Sequence, residues 1–273
     1  MAQTTTTRIA DLLVDVHKPD SGSSRATVMF SHGAWVGGWV WEDFAPYMAD
    51  LGYDCYVPTL RGRYDSKQVE DVGSISIYDL VEDAVDVARS VDANVVIGES
   101  LGGLIAQKAA ETLGLKALVL MNSAPPFMVP LDFKVMRSQI KYMGDLLFNK
   151  PNKPSKKDYS ELILNNVGEP EASQFYDRIC PESGRALKEA SLGKIKVDPR
   201  KITCPVLSVI GHKDAILPLK AHRKVARLLG ADVIEYPGMS HHTFSEEGWE
   251  KVAAEVDTWL SQKLAVAPIP PPS

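Results

Sequence analysis

An α/β architecture is what the sequence predicts: a mostly parallel sheet, helices on both of its faces, and a helical segment inserted into the chain. Three observations lead there. Short apolar, β-branched runs alternate with stretches of helical periodicity from Ala26 to about Ser123. The alternation stops there and resumes only at Pro205. One strand–helix junction reads Gly98-Glu99-Ser100-Leu101-Gly102, a serine between glycines where the chain must bend sharply.

The expected strands are Ala26–Phe30, Asp54–Val57, Asn94–Gly98, Ala117–Met121, Pro205–Ile210 and Asp232–Tyr236. Most are short apolar runs, as strands buried on both faces are. Helical spacing covers Glu42–Leu51, Ile77–Val91, Leu101–Thr112, Leu217–Leu229 and Glu246–Leu264. Strands joined through helices must run parallel, because the crossover returns the chain to its starting edge. Arg8–His17 alternates weakly and is expected as an antiparallel edge strand.

From Ser123 to Thr203 the pattern is helical, over Phe133–Leu147, Lys156–Leu164, Glu171–Ile179 and Ser183–Ser191, with no convincing strand. Prolines 125, 126, 130 and 199 fence the segment. The expected organisation is a core of residues 1–123 and 204–264, with a helical cap of residues 124–203 lying over the end of the sheet. The tail, 265–273, is too rich in proline to extend a helix and is expected to be disordered.

A chain of 273 residues suffices for one large core. Hydrophobic content of 45% and charged content of 24% are those of a soluble globular protein. A net charge of -5 without a basic run argues against nucleic acid as a partner. Apolar runs are short and broken, so no membrane span is expected. The opening M-A-Q-T-T-T-T-R lacks the charged-then-apolar order of a secretory signal. The three cysteines, Cys55, Cys180 and Cys204, show no metal-ligand spacing. A cytoplasmic protein without metal or cofactor fits these features.

A serine at the start of a helix can be an ordinary cap. It becomes a nucleophile only with a base to take its proton and an acid to orient the base. Both follow in the chain. The strand Pro205–Ile210 opens into Gly211-His212-Lys213-Asp214, and the next leads into Pro237-Gly238-Met239-Ser240-His241-His242. Each loop leaves the carboxyl end of a strand, where an open parallel sheet gathers its loops around one crevice. Ser100 is therefore expected as nucleophile, Asp214 as orienting acid and His241 as base. The strand before Ser31-His32-Gly33-Ala34-Trp35 ends at the same crevice, and its glycine allows close approach of a backbone N–H. The amides of Ala34 and Leu101, the latter at the positive end of its helix, are expected to hold an oxyanion. His32 is expected to support its loop.

The elements H-G-A-W, G-E-S-L-G-G, G-H-K-D and P-G-M-S-H occur in this order, and from Thr27 to Leu260 the chain resembles the α/β-hydrolase superfamily. Within it, H-G-A-W-x-G-G-W is most similar to the small serine esterases and hydroxynitrile lyases. The resemblance implies an α/β-hydrolase fold with a helical cap, the roles given above, no cofactor, and a small-molecule ester or lactone as substrate. It leaves open C–C bond hydrolysis or hydroxynitrile cleavage by the same triad, or a non-catalytic receptor on this scaffold. Hydroxynitrile lyases of this kind carry a lysine directly after the histidine, where this chain has His242. The P-G-x-x-H register selects His241 over its neighbour. Glu99 replaces a frequent histidine and is expected to act structurally, through the helix dipole or a local hydrogen bond. Thr59 stands where many relatives have aspartate, and Arg61 and Arg63 are expected to be structural or surface residues. Trp35, Phe127, Met128, Met136, Met143 and Phe148 are expected to line an apolar pocket, methionine suiting irregular shapes.

Overall fold

The computed structural model describes residues 2–20, 22–129 and 140–265. Met136 and residues 266–273 of the expected tail lie outside the described residues. Among the described residues the strands are β1 (Gln3–Ile9), β2 (Leu12–Lys18), β3 (Ala26–Ser31), β4 (Tyr53–Thr59), β5 (Val95–Glu99), β6 (Ala117–Met121), β7 (Pro151–Asn152), β8 (Glu182–Ser183), β9 (Val206–Gly211) and β10 (Asp232–Tyr236). The helices are α1 (Phe44–Asp50), α2 (Ile77–Ser90), α3 (Ser100–Ala110), α4 (Met143–Leu147), α5 (Lys156–Leu162), α6 (Glu171–Arg178), α7 (Gly184–Ser191), α8 (Leu219–Leu229) and α9 (Trp249–Leu264).

Eight strands make one sheet in the order β1-β2-β4-β3-β5-β6-β9-β10. From β4 to β10 every neighbouring pair is parallel. The first two strands are antiparallel to each other, and β2 to β4. Along β3, Val28 and Phe30 belong to one buried core and Met29 to the other; β5 divides in the same way between Val95, Ile97 and Val96. Burial on both faces is the physical reason these strands read as continuous apolar runs. Phe44 and Met48 of α1 and Val252 and Val256 of α9 cover the first face. Leu80 of α2, Leu104 and Ile105 of α3 and Val225 of α8 cover the second.

Two sequence expectations need correction. The single edge strand over Arg8–His17 is instead a hairpin, turned by Ala10 and Asp11 at φ 51° and 65°. Leu12, Val14 and Val16 of β2 are buried, while the threonine-rich β1 is exposed along most of its length. Threonine favours strands through its branched β-carbon and tolerates water, so this edge forms without an apolar alternation to announce it. The inserted segment also contains a strand pair: Pro151 and Asn152 of β7 pair antiparallel with Ser183 and Glu182 of β8. Two residues are too few to leave a periodic signal. Of the expected helix over Phe133–Leu147, the described part is α4, Met143–Leu147.

The inserted helices pack into the same cores as the rest of the chain. Tyr159, Leu162 and Ile179 join the first core, and Ala186 and Ile195 the second. At α2, Ser76 and Asp79 form a reciprocal capping box. Glu189 of α7 also accepts from the Ser76 hydroxyl and the Ile77 amide at 2.8 and 2.9 Å. A carboxylate at a helix N-terminus satisfies otherwise orphaned donors and meets the positive end of the dipole. A residue of α7 thus fixes the start of α2.

Candidate active site

Ser100 is the first residue of α3 and adopts φ 49°, a left-handed conformation that serine rarely takes. Such a backbone costs on the order of 1 kcal/mol and persists only where the surroundings impose it. The imposing contacts are close ones. A β-carbon on Gly102 would collide with the carbonyl oxygens of Ser31 and His32, and one on Gly98 with the Gly102 carbonyl and Ala106. Gly102 lets the turn at Ser100 sit directly against the end of β3, and Gly98 lets it fold tightly on itself. The Ala124 amide closes the turn by donating to the Ser100 carbonyl at 2.7 Å.

Asp214 follows β9, and its carboxylate accepts four hydrogen bonds. Oδ1 takes the amides of Ile216 and Leu217 at 3.0 and 2.9 Å. Oδ2 takes His241 Nδ1 at 2.7 Å and His222 Nε2 at 2.9 Å. Burial alone would raise its pKa; the charge of His241 and the hydrogen bonds of both imidazoles outweigh burial and hold it well below the usual carboxylate range. An ionised carboxylate only accepts, so His241 must carry its proton on Nδ1 and present a bare Nε2. Burial pulls the His241 pKa down, but the opposing charge and hydrogen bond of Asp214, helped by Glu99 and Glu246, raise it above the ordinary value of 6.5.

Asn122, just after β6 at φ 40°, holds these two loops together. Its Nδ2 donates to the carbonyls of Ser240 and His241 at 2.6 and 2.8 Å, and its Oδ1 accepts from the Gly211 amide at 2.8 Å. Glu246 supports the same loop through the Ser240 amide at 2.7 Å and accepts from Asn166 Nδ2, between α5 and α6, at 2.5 Å. Neither Asn122 nor His222 was singled out in the sequence. A polar residue at a strand end or within a basic helix carries no local mark of the partner it meets in three dimensions.

The loop after β3 is held from several sides. His32 is buried, with Nε2 3.1 Å from the Leu60 amide and Nδ1 2.9 Å from the Gly33 carbonyl. Burial, reinforced by the charge of Arg63, pushes its pKa down to about 3, so it is a neutral ring with both nitrogens engaged. Glu99 is also buried; its Oε1 accepts from the Gly33 amide at 2.5 Å, while Oε2 has no hydrogen-bond partner. Burial, more than any charge, raises this carboxyl to about 7. A β-carbon on Gly33 would collide with Glu99. The next amide is that of Ala34; that of Leu101, second in α3, belongs to the first turn, which has no intrahelical acceptor.

Trp35 stands at φ 66° with its side chain only 8% exposed. Its indole N–H reaches Asn152 Oδ1 at 3.3 Å, its amide Glu182 Oε2 at 3.4 Å, and its carbonyl accepts the Cys180 amide at 2.8 Å. Glu182 in turn pairs with Arg63 at 2.5 Å, both side chains 1% exposed. Arg61 forms a bidentate bond with Asp83, and Thr59 Oγ1 accepts from the Gly38 amide at 2.9 Å. All three departures noted in the sequence are thus engaged within the fold. His242 is buried against Phe175 and Phe244, and burial lowers its pKa to about 3.

A cavity of about 390 Å³ lies beside these elements. Its lining includes Trp35, Ala124, Ile216 and Leu217, each next to or hydrogen-bonded with a residue named above, together with Leu146, Leu187 and Ala190 from the segment between β6 and β9. Of the residues expected to line a pocket, Trp35, Phe127, Met128 and Met143 line it. Phe148, just beyond the end of α4, does not. Helical spacing could not tell which face of that segment turns inward. Among the described residues, no group of three or more His, Cys, Asp or Glu side chains is placed to hold a metal ion, and no helix is long and apolar enough to cross a membrane.

The chain belongs to the alpha/beta hydrolase family, whose model matches residues 28–255. Solved structures agree on the fold. An esterase from Exiguobacterium antarcticum is 18% identical, with a TM-score of 0.72 over 95% of this chain and 100% of that one. A thermophilic esterase from Thermogutta terrifontis is 19% identical, with a TM-score of 0.68 over 96% and 99%. An extracellular α/β-hydrolase from a Paenibacillus species is 18% identical, with a TM-score of 0.67 over 85% and 98%.

Proposed function

We propose that this protein is a serine hydrolase that cleaves a carboxylic ester or lactone of a small molecule through an acyl-serine intermediate. The observation that carries the reading is a buried Asp214 that accepts from His241 Nδ1 and so sets its tautomer; a strained, partly exposed Ser100 at the start of α3 supports it. In this reading Ser100 Oγ attacks the carbonyl carbon and gives its proton to His241 Nε2. The amides of Ala34 and Leu101 receive the charge that develops on the carbonyl oxygen. The alkoxide leaves with the proton from His241, and water then attacks the acyl-serine with His241 again as base. The chemistry needs no metal. A largely apolar cavity beside the site, with Ser191 the one hydroxyl side chain among the described residues that line it, supports an uncharged acyl or alcohol group.

A lyase reading is less well supported. The position after the base is taken by His242, whose burial keeps it neutral, so no cation stands there to receive cyanide. An acyl intermediate is tested by partitioning. Phenyl and p-nitrophenyl butyrate, hydrolysed with methanol present, should give the same ratio of methyl butyrate to butyrate, because both pass through one butyryl-enzyme. Ser100→Ala should lower turnover by roughly 10³ or more. Unequal ratios, or undiminished turnover in the variant, would refute the mechanism.

A further inference from the structure

We infer that His222 is a positioning residue of this site: it fixes the second oxygen of Asp214 and limits how strongly that carboxylate holds the proton of His241. The inference rests on the reading of Ser100, His241 and Asp214 just given. The helix that carries His222, α8, is basic on its outer surface, with Lys220, Arg223, Lys224 and Arg227. Its buried positions are Ala221, His222, Val225 and Ala226. Three of the four are small or branched apolar residues, and an imidazole among them breaks the pattern. Such local inconsistency concentrates at functional sites.

The geometry gives the imidazole a task. His222 and Asp214 are 2% and 1% exposed and meet at 2.9 Å. Backbone amides hold Oδ1 of Asp214, but they leave Oδ2 to side chains. His241 cannot anchor Oδ2 throughout a reaction, because its own charge changes as protons come and go. His222 supplies a donor that does not take part in that exchange. The carboxylate therefore keeps its plane when His241 moves toward Ser100 or a leaving group.

Sharing one oxygen also has an electrostatic consequence. Each donor on Oδ2 draws on the same negative charge, and a carboxylate already engaged by His222 stabilises the protonated form of His241 less. The other titratable groups bearing on His241 are Glu99 and Glu246, which favour its charged form, and His242, which is neutral. With the His222 donor gone, the full charge of Oδ2 falls on His241, and its basicity must rise.

The test compares His222→Phe, which removes the donor, with His222→Gln, whose amide restores one. The titration of His241 is followed by NMR through its Nδ1 proton, and the acid limb of kcat/KM for an activated ester is measured alongside. The Phe variant should shift both midpoints upward by about half a pH unit or more. It should also lower kcat several-fold at unchanged KM, and Gln should bring the midpoints back toward wild type. If the Phe variant does not fold, His222→Asn takes its place, since its shorter amide cannot span the same distance. Unmoved or lowered midpoints without the donor, or an equal shift in the Gln variant, would overturn the inference. The NMR titration needs no substrate. A protein that hydrolyses no ester would refute the proposed function, while the NMR shift would still decide the role of His222.

Discussion

Glu99 puts an unusual neighbour beside Ser100: a buried carboxyl with one oxygen accepting from the Gly33 amide and the other without a hydrogen-bond partner among the described residues. Its folded-state pKa of about 7, against an ordinary 4.5, has a thermodynamic consequence. The folded protein binds this proton more tightly than the unfolded chain does. The contribution is harmless below the unfolded value and becomes a growing penalty as pH rises toward 7, reaching on the order of 3 kcal/mol above it. Glu99→Gln removes the ionisation and keeps an acceptor for Gly33. Urea unfolding should therefore find the variant close to wild type near pH 4 and more stable at pH 8 by about that amount. The same stability difference at both pH values would show that Glu99 does not titrate as described. In the sequence Glu99 occupied a variable position of G-x-S-x-G, and the local hydrogen bond expected of it is here identified as one from the Gly33 amide in the loop after β3. The spacing of the motif located Ser100, but a wildcard position carries no information about its partner.

Among the elements, the small β7–β8 pair has consequences out of proportion to its length. It brings Asn152 and Glu182 against Trp35, and Glu182 against Arg63 in the loop after β4. The loop after β3 is thereby braced from the segment between β6 and β9. A buried ion pair adds little net stability over well-packed apolar residues, but loss of one partner leaves the other charge stranded. Glu182→Gln should therefore destabilise the protein by about 3 kcal/mol or more, and Arg63→Met combined with Glu182→Met should cost less than the sum of the two single changes. Chemical denaturation of the four proteins in this cycle checks it; additive costs would mean that the two side chains do not act as a pair. Helices and central strands were legible in the sequence because each repeats a period over five residues or more. The β7–β8 ladder and the β1–β2 hairpin were not: one has two residues per strand, and the other relies on threonines that carry no apolar pattern.

Across the whole molecule, the alternation of strands and helices was enough to predict that Ser100, Asp214 and His241 share one end of a parallel sheet. Asp214 and His241 come together across two neighbouring parallel strands, with Asn122 tying their loops to the end of a third. What topology alone could not supply is the set of long-range side chains that hold this arrangement, His222, Asn122 and Glu182 among them. Each makes its decisive contact with a residue far along the chain or on another element, and nothing local encodes it. The same holds for the cavity, which Met143 of α4 lines and Phe148, five residues on, does not. The account as a whole depends on Ser100 being the nucleophile activated by His241. The most direct measurement is the site and pH dependence of labelling by a fluorophosphonate, read by mass spectrometry of the digested protein. One adduct per chain is expected, on the peptide containing Ser100, formed rapidly at pH 8 and more slowly as His241 becomes protonated. An adduct on another serine, or labelling that persists in Ser100→Ala, would contradict it.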